Sequence, residues 1–242
     1  TYSKQNVKDQ IFAVPLAGST GADQLVTNAG RLTTDVNELV VNIVPIEAGR
    51  FRWDMNFNYM KMINMVDELA EGVESIFLGG FVTPQVRASV GNTYPVIYGS
   101  SFARDKNGNI LVIDDPSSPY HGMPQTGAPG IIGEVTPDFI LGANNTFTYK
   151  NLSLSSSFEW KHGGNMYSGD NGLMMYTYGV VTQTENREET FVYKGYKPDG
   201  TPNDIVRGGP NDPKAYQTLF DNVLGDIDEA FIFENSFIKL RD

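Results

Sequence analysis

The chain has 242 residues, 40% of them hydrophobic, and this is enough to bury a sizeable core as one or two domains. It has no cysteine, which excludes a disulfide scaffold, a thiolate zinc site and cysteine catalysis. The formal net charge is −11 and Lys and Arg are scattered, so a nucleic-acid-binding groove with its clustered positive charge is not expected.

The sequence contains neither an apolar run long enough for a transmembrane helix nor a basic start followed by an apolar stretch that would mark a signal peptide. Any contact with a membrane core is therefore expected to be made by strands. The chain opens on Thr1 and stops at "SFIKLRD", where an apolar and polar alternation has only begun. We expect it to be a piece of a longer protein.

Alternation of apolar and polar residues predicts β-strands at several places along the chain. It is longest in "FRWDMNFNYMKMINMV", at residues 51–66, and cleanest in residues 152–160. The predicted strands cover about residues 1–14, 31–44, 51–65, 137–149, 152–161 and 235–242.

The connections between these strands are of two kinds. "PIEAGR" joins residue 44 to residue 51, and Lys150 and Asn151 join the next pair, so both pairs are predicted antiparallel hairpins. At the other end the connections are long, at about residues 66–136 and 162–234. Short turns on one side and long loops on the other are typical of outer-membrane barrels, and they count against a compact soluble domain.

The predicted strands have one apolar row and one polar row. Met60, Met62, Ile140 and Asn145 break the pattern. We expect the polar row to form the hydrated wall of a barrel interior. That row consists of Arg52, Asp54, Asn56, Asn58, Ser153, Ser155, Ser157 and Glu159.

Large side chains of the apolar row lie near both ends of the strands, as the two aromatic girdles of a membrane barrel would. Those near the short turns are Phe51, Trp53, Tyr149 and Leu152, and those toward the long loops are Phe139, Phe158 and Trp160. Lys61 lies ten residues beyond Phe51, which in a tilted strand is about 25 Å along the membrane normal. Its ammonium group is therefore expected at the headgroups.

A soluble β-sandwich also alternates, so the strand pattern alone leaves two architectures open. A second sheet would cover Phe51, Trp53, Phe57 and Leu154 in a sandwich, whereas these side chains form an exposed belt in a barrel.

The long loops have their own local signals. Asn107 and Gly108 in "RDKNGNILV" predict a tight turn, which we favour over a calcium loop because the distal Glu ligand is missing. "DPKAYQTLFDNVLG" predicts a helix with Asp212 as the N-cap and Gly225 as the stop, packed on neighbouring loops.

No constellation in the sequence predicts catalysis. The histidines are His121 and His162, far apart and in unrelated contexts, and the P-loop, dinucleotide-binding and nucleophile-elbow motifs are all missing. We therefore expect no enzyme activity, no catalytic or metal-binding residues and no cofactor.

Several segments, in order along nearly the whole chain, resemble the second half of the barrel in the SusC/RagA family of TonB-dependent outer-membrane transporters. They are "NAGRLTTDVNELVVNIVPI", "FRWDMNFNYMKMINMVDEL", "YPVIYGSSFARDKNGNILV", "GMPQTGAPGIIGEVTPDFILGANNTFTYKNLSLSSSFEW" and "ENSFIKLRD". Val36 stands where the family usually has Gly, which leaves a local turn or bulge there in question.

The resemblance implies an antiparallel transmembrane β-barrel fragment, part of a 22-stranded plugged barrel, with long extracellular loops and a short loop helix. We expect the plug and the TonB box to be absent from this chain. It further implies import of glycan or peptide fragments across the bacterial outer membrane. The implied partners are a SusD-like surface lipoprotein, the TonB complex acting through the plug region, an oligosaccharide or peptide substrate and the lipid bilayer. The alternative is a soluble secreted carbohydrate-binding β-module.

Overall fold

The structure is a computed structural model that describes residues 1–15, 18–21, 24–28, 30–169, 178–180 and 182–241. Antiparallel β-strands dominate it, which confirms the predicted all-β class. The strands are β1 (Tyr2–Val7), β2 (Ile11–Pro15), β3 (Gln24–Asn28), β4 (Gly30–Ala48), β5 (Phe51–Leu69), β6 (Ser75–Gly80), β7 (Gln85–Ser89), β8 (Val96–Gly99), β9 (Gly130–Glu134), β10 (Phe139–Tyr149), β11 (Leu152–His162), β12 (Asn165–Tyr167), β13 (Thr190–Phe191), β14 (Arg207–Gly208), β15 (Ile232–Glu234) and β16 (Phe237–Leu240).

The helical segments of the described residues are all short. They are α1 (Ala215–Gln217), a π-helix at Thr218–Val223, and 3-10 turns at Gly18–Thr20, Thr182–Thr184, Leu224–Asp226 and Asp228–Phe231. Among these residues, no helix is both long and apolar enough to cross a membrane.

The main sheet has six antiparallel strands in the order β1, β4, β5, β10, β11, β16. β4 and β5 have 19 residues each, nearly twice the about 9–11 residues that a tilted strand needs to cross a bilayer. The hairpin they form is therefore long enough to continue well beyond the membrane. The two short turns lie side by side, since the Lys150 amide donates to the Arg50 carbonyl at 3.0 Å.

The start of the chain differs from the single strand predicted over residues 1–14. Asp9 has a left-handed backbone with φ 58°, and the chain turns there. β1 stays on the edge of the main sheet, whereas β2 pairs with β3 in a separate two-stranded sheet. Phe12 of β2 is thereby buried against the top of β4 and β5, next to Leu32 and Val66.

Val36, which replaces the usual Gly of the resembled family, causes no irregularity. It pairs with Met62 in continuous register. The register shifts of the β4–β5 pair lie instead between Arg31 and Leu32 and between Ile43 and Ile46.

The two long loops contain much of the secondary structure, and we call their described residues, 75–134, 165–169, 178–180 and 182–234, the cap. The first loop folds into a four-stranded sheet of β6, β7, β8 and β9. The second contains the β12–β15 and β13–β14 pairs and the helical segments.

Both loops contribute to one buried core, so the predicted packing of the helix on its neighbours is confirmed. Met123 of the first loop is fully buried among residues of the second, which are Ala215, Leu219, Val223, Leu224, Ile227 and Phe231. A second core, at the top of the main sheet, contains Phe12, Leu32, Val66, Leu69, Ile76 and Ala88.

The predicted helix of residues 212–225 differs from expectation in form. The Asp212 side chain does not cap it, because its Oδ2 accepts a hydrogen bond from Arg207 Nε at 2.6 Å. This interaction lowers the pKa of the Asp212 carboxyl group. The segment passes from α1 into the π-helix, and Gly225 lies inside a 3-10 turn rather than after the last turn.

Replacing Phe231 by Ala should loosen the cap core, because Phe231 is only 2% exposed and its removal leaves a cavity. The expected loss is about 3–5 kcal/mol in the free energy of local opening, measured by hydrogen exchange of the cap in the full-length protein. Phe233→Ala is the matched control, because Phe233 is 42% exposed, and a loss of similar size there would contradict the assigned core.

Candidate functional site

One face of the main sheet is apolar and uncovered. None of the buried residues of the described chain belongs to the predicted apolar row from Phe51 to Tyr59, and Leu154 on β11 is 68% exposed. The buried residues of the cap sheet, Ile76 and Ala88, pack instead with Leu32, Val66 and Leu69 at the ends of β4 and β5. This is the arrangement expected of an exposed belt, not of one half of a sandwich.

Aromatic rings on this face form two clusters at the two ends of the strands. Near the short turns, Trp53 stacks on Phe147 with ring centroids 5.5 Å apart. Toward the cap, Phe139 contacts Trp160 at 5.0 Å edge to face and Tyr59 at 5.9 Å. Aromatic girdles at both interfaces are typical of transmembrane barrels.

Asn145, one of the predicted exceptions on the apolar row, has a partner there. Its Oδ1 accepts a hydrogen bond from the indole nitrogen of Trp53 at 3.1 Å. The indole N–H and the amide oxygen satisfy each other, which lowers the cost of placing these two polar groups on this face.

The apolar row ends where charged residues begin. Lys61 pairs across the ladder with Asn37, and two residues further along β4 the Asp35 carboxylate forms an ion pair with Lys4 at 3.6 Å. These residues continue the row that carries Tyr59. Their position supports the predicted upper border of the apolar band near Lys61.

The opposite face carries a ladder of polar side chains that crosses four strands. Asn56 donates to Asn42 at 2.6 Å, Asn144 donates to Asn56 at 3.1 Å, and Ser157 donates to Asn144 at 2.6 Å. These residues are direct cross-strand partners on β4, β5, β10 and β11. Asn56 and Ser157, which lie on either side of Asn144, are two of the eight predicted interior residues. The ladder makes this face a continuous wall of hydrogen-bonding groups.

Charged groups flank the ladder on the same face. The Arg52 guanidinium donates to both oxygens of Asp54 at 2.8 Å and lies 3.3 Å from Glu47. Toward the cap, Glu159 accepts from Arg241 at 2.8 Å. Positive and negative groups are thus paired on both sides of the ladder.

Met60 and Met62 interrupt the polar row, as the sequence indicates. Met60 pairs across the ladder with Ile140 of β10 and Glu38 of β4, and Met62 pairs with Val36. The two methionines and Ile140 therefore form a short apolar stretch on the polar face near the cap.

The two loops of the cap are locked together by one buried carboxylate. Asp228, in the second loop, accepts hydrogen bonds from the Ser100 amide at 2.9 Å and the Ser100 hydroxyl at 3.0 Å. It also accepts one from the Thr83 hydroxyl. Its neighbour Glu229 accepts from the Phe102 amide at 2.9 Å and from Arg104 at 2.5 Å.

We call these hydrogen bonds of Asp228 and Glu229 to the first loop the latch. The latch was not predictable from the sequence. Its members lie 125–145 residues apart, and each one alone reads as an ordinary polar loop residue. A carboxylate that is buried with hydroxyl and amide partners is stable only while those partners remain in place. The latch therefore couples the conformation of residues 83–104 to that of residues 228–229.

The sequence-predicted turn and histidines fall at separate places. Asp105 accepts from Asn107 and Asn109 across the turn, and the Asn109 side chain chiefly lowers the pKa of the Asp105 carboxyl group. His121 lies 3.5 Å from Asp114, and His162 lies 2.9 Å from Asp138. In the described ranges, no group of His, Asp and Glu is arranged to hold a metal ion.

The chain is similar in sequence to two TonB-dependent receptors. The chain is 21% identical to TonB-dependent receptor P3 of Formosa agariphila and 25% identical to TonB-dependent receptor P26 of the same organism, over 260 residues in each case. These matches cover 100% and 99% of this chain. The predicted resemblance to TonB-dependent transporters is confirmed.

The chain spans 24% of the length of each of these TonB-dependent receptors. Among solved structures, it is similar to the RagAB peptide importer in the closed-closed state, with a TM-score of 0.61 and 14% identity over 99% of this chain and 25% of that one. The RagAB peptide transporter matches 72% of this chain and 20% of its own, with a TM-score of 0.55 and 15% identity. No protein-family profile matches the chain.

Adjacent serines on β11 allow the two faces of the main sheet to be compared directly. Ser156 lies on the apolar face, four residues beyond the short turn at Leu152, and Ser155 lies on the polar face. Ser156→Arg should destabilise the full-length protein by about 2–4 kcal/mol, because an arginine would then face hydrocarbon near the bilayer centre. Unfolding by guanidinium in lipid vesicles measures the difference.

Ser155→Arg is the matched control and should cost about 1 kcal/mol or less, because its charge enters a hydrated wall. Equal losses at the two positions would contradict the assignment of the faces.

Asp228→Ala should open both loops at once, because it leaves the Ser100 and Thr83 donors without their buried acceptor. We expect a loss of about 1–3 kcal/mol in local stability and faster hydrogen exchange in residues 96–104 as well as in residues 224–231. Asp226→Asn, an exposed substitution in the same segment, is the control. Faster exchange confined to the second loop would show that the latch does not couple the two.

Proposed function

We propose that the chain is part of a TonB-dependent importer of the bacterial outer membrane that takes up oligosaccharide or peptide fragments together with a SusD-like surface lipoprotein. One observation carries this proposal: the main sheet has an uncovered apolar face with aromatic clusters at both ends, and a continuous polar ladder on the other side. A wall of a membrane barrel requires both faces at once.

The membrane orientation follows from the two ends of the sheet. Short turns close the strands at Gly49 and Lys150, and the cap lies at the opposite end. Periplasmic turns of outer-membrane barrels are short and extracellular loops are long. The cap is therefore the extracellular part, at the surface where a nutrient and a lipoprotein partner arrive.

The proposed importer function is supported by the proteins that the chain resembles. Their names describe receptors and a peptide importer rather than enzymes. Import by this chain would require the plug region and the remaining strands. The polar ladder of Asn42, Asn56, Asn144 and Ser157 would then form part of a wet interior wall, without catalysis.

The soluble carbohydrate-binding module is the weaker alternative. It would require a second sheet over the apolar row, and in the described residues the row bearing Leu154 has no such cover. Extraction separates the two functions. A full-length protein that remains soluble without detergent would rule out the transporter.

The cap offers a defined candidate surface for the lipoprotein partner at the turn between β6 and β7. Phe81 is 71% exposed and Val82 is 90% exposed. The turn is nevertheless held, since Gln85 donates to the Val82 carbonyl at 2.8 Å and Thr83 donates to Asp228. We call Phe81 and Val82 the apolar tip, and we propose that it contacts the partner.

Replacing both tip residues by Glu should lower co-purification of the SusD-like lipoprotein and nutrient uptake by about tenfold, because two charges enter an apolar contact. Barrel levels in the outer membrane should stay normal. Val90→Glu, at the other end of β7, is the control, because Val90 is exposed in the same loop. Unchanged co-purification in the tip variant would refute this contact.

Point substitutions are preferable to loop deletions for this test. The two loops share one core and one latch, so deletion of either loop would expose the buried residues of the other.

A further inference from the structure

A cleft of about 220 Å³ lies in the second loop, where Tyr178, Gly179, Thr184 and Arg187 face the helical segments. Pockets for drug-sized ligands start at about 300 Å³, so this cleft has room for a single ring or side chain. Its lining combines aromatic rings with two opposite charges, those of Arg187 and Asp221.

One wall of the cleft is aromatic and braced from behind. Tyr216 and Phe220 are four residues apart, and their ring centroids lie 5.9 Å apart. Phe191 contacts Tyr216 edge to face at 4.6 Å. Because Phe191 and the cap core restrict these rings, their surfaces are presented to the cleft in a fixed position.

The acidic group of the cleft lacks a partner. Asp221 Oδ1 is buried and accepts no hydrogen bond, which is uncommon because a buried acceptor without a donor costs free energy. The carboxylate torsion of Asp is soft, so a small rotation can turn this oxygen toward the cleft. Asp221 belongs to the π-helix, an irregularity that often marks functional sites.

The guanidinium group of Arg187 also lacks a carboxylate partner among the described residues. Arg187 Nη1 has only a long contact to the Thr184 carbonyl at 3.5 Å, and within the described ranges it forms no ion pair. Arg187 and Asp221 both line the cleft yet do not neutralise each other. The cleft thus presents a free donor, a free acceptor and an aromatic surface.

These features select among ligand chemistries. A cationic side chain would meet Arg187 and an anionic one would meet Asp221, so both are opposed by a like charge. A neutral ring with several hydroxyl groups fits both charges, because each hydroxyl can donate to the carboxylate and accept from the guanidinium. The apolar C–H face of such a ring can lie on Tyr216 or Phe220.

We propose that this cleft is a subsite for one neutral sugar ring of an oligosaccharide. The proposal rests on the importer function and selects glycan rather than peptide as the substrate class. Asp221 accepts hydrogen bonds from ring hydroxyls, Arg187 donates to them, and the Tyr216–Phe220 wall stacks on the ring.

The test uses the purified full-length protein in detergent, without its partner. The probes are neutral hexasaccharides of α-1,4-glucose, β-1,3-glucose, β-1,4-mannose and β-1,4-xylose, compared by calorimetry with neutral capped tetrapeptides. At least one saccharide should bind, and Asp221→Ala and Phe220→Leu should each weaken it by tenfold or more. Asp221→Ala removes an oxygen that has no partner, so its unfolding temperature should not fall.

Asp226→Asn, five residues along the chain and exposed, should leave binding unchanged. Failure of all the saccharides to bind, or binding that Asp221→Ala and Phe220→Leu do not alter, would overturn the subsite. Binding of the tetrapeptides with the same sensitivity to these variants would overturn the sugar assignment. Uptake by the full-length protein is measured separately, so a normal uptake with an inactive cleft would refute the subsite and leave the importer standing.

Discussion

The β4–β5 ladder is the constraint on which the rest of the molecule depends. Side chains alternate between faces along a strand, so a register slip of one residue would carry every apolar side chain to the polar face. The pairing of Asn42 with Asn56 and of Val41 with Phe57 sets that register for the hairpin. β10 then continues it, since Asn144 meets Asn56 and Ala143 meets Phe57. The apolar belt and the polar ladder are two results of the same pairing.

The cap depends on that hairpin in a second way. β4 and β5 continue past the apolar band, and their ends, with Leu32, Val66 and Leu69, form the base on which Ile76 and Ala88 of the first loop pack. The first loop in turn supplies Ser100 and Met123, around which the second loop closes. The conformation of the first loop therefore depends on the main sheet, and that of the second loop depends on the first, although the loops are far apart in sequence.

The local pattern of apolar and polar residues was sufficient to predict the parts of the fold that depend on neighbouring residues in the sequence. The alternation in residues 51–63 and 152–160 and the short turn at Lys150 predict the strands and hairpins that carry the two faces. It could not reveal the break at Asp9, because a left-handed residue there is decided by the pairing of β2 with β3. The latch at Asp228 and the cleft at Asp221 also escaped prediction, since each depends on contacts between distant segments rather than on a motif.

The shared core and latch of the cap have a consequence for how such a surface can diversify. If two loops folded independently, each could be exchanged or lengthened by recombination without regard to the other. Here Met123 of one loop fills the interior of the other, and Asp228 of one satisfies Ser100 of the other. The two loops are therefore expected to evolve as a pair. A related protein with a different recognition surface has to keep the contacts between its two loops.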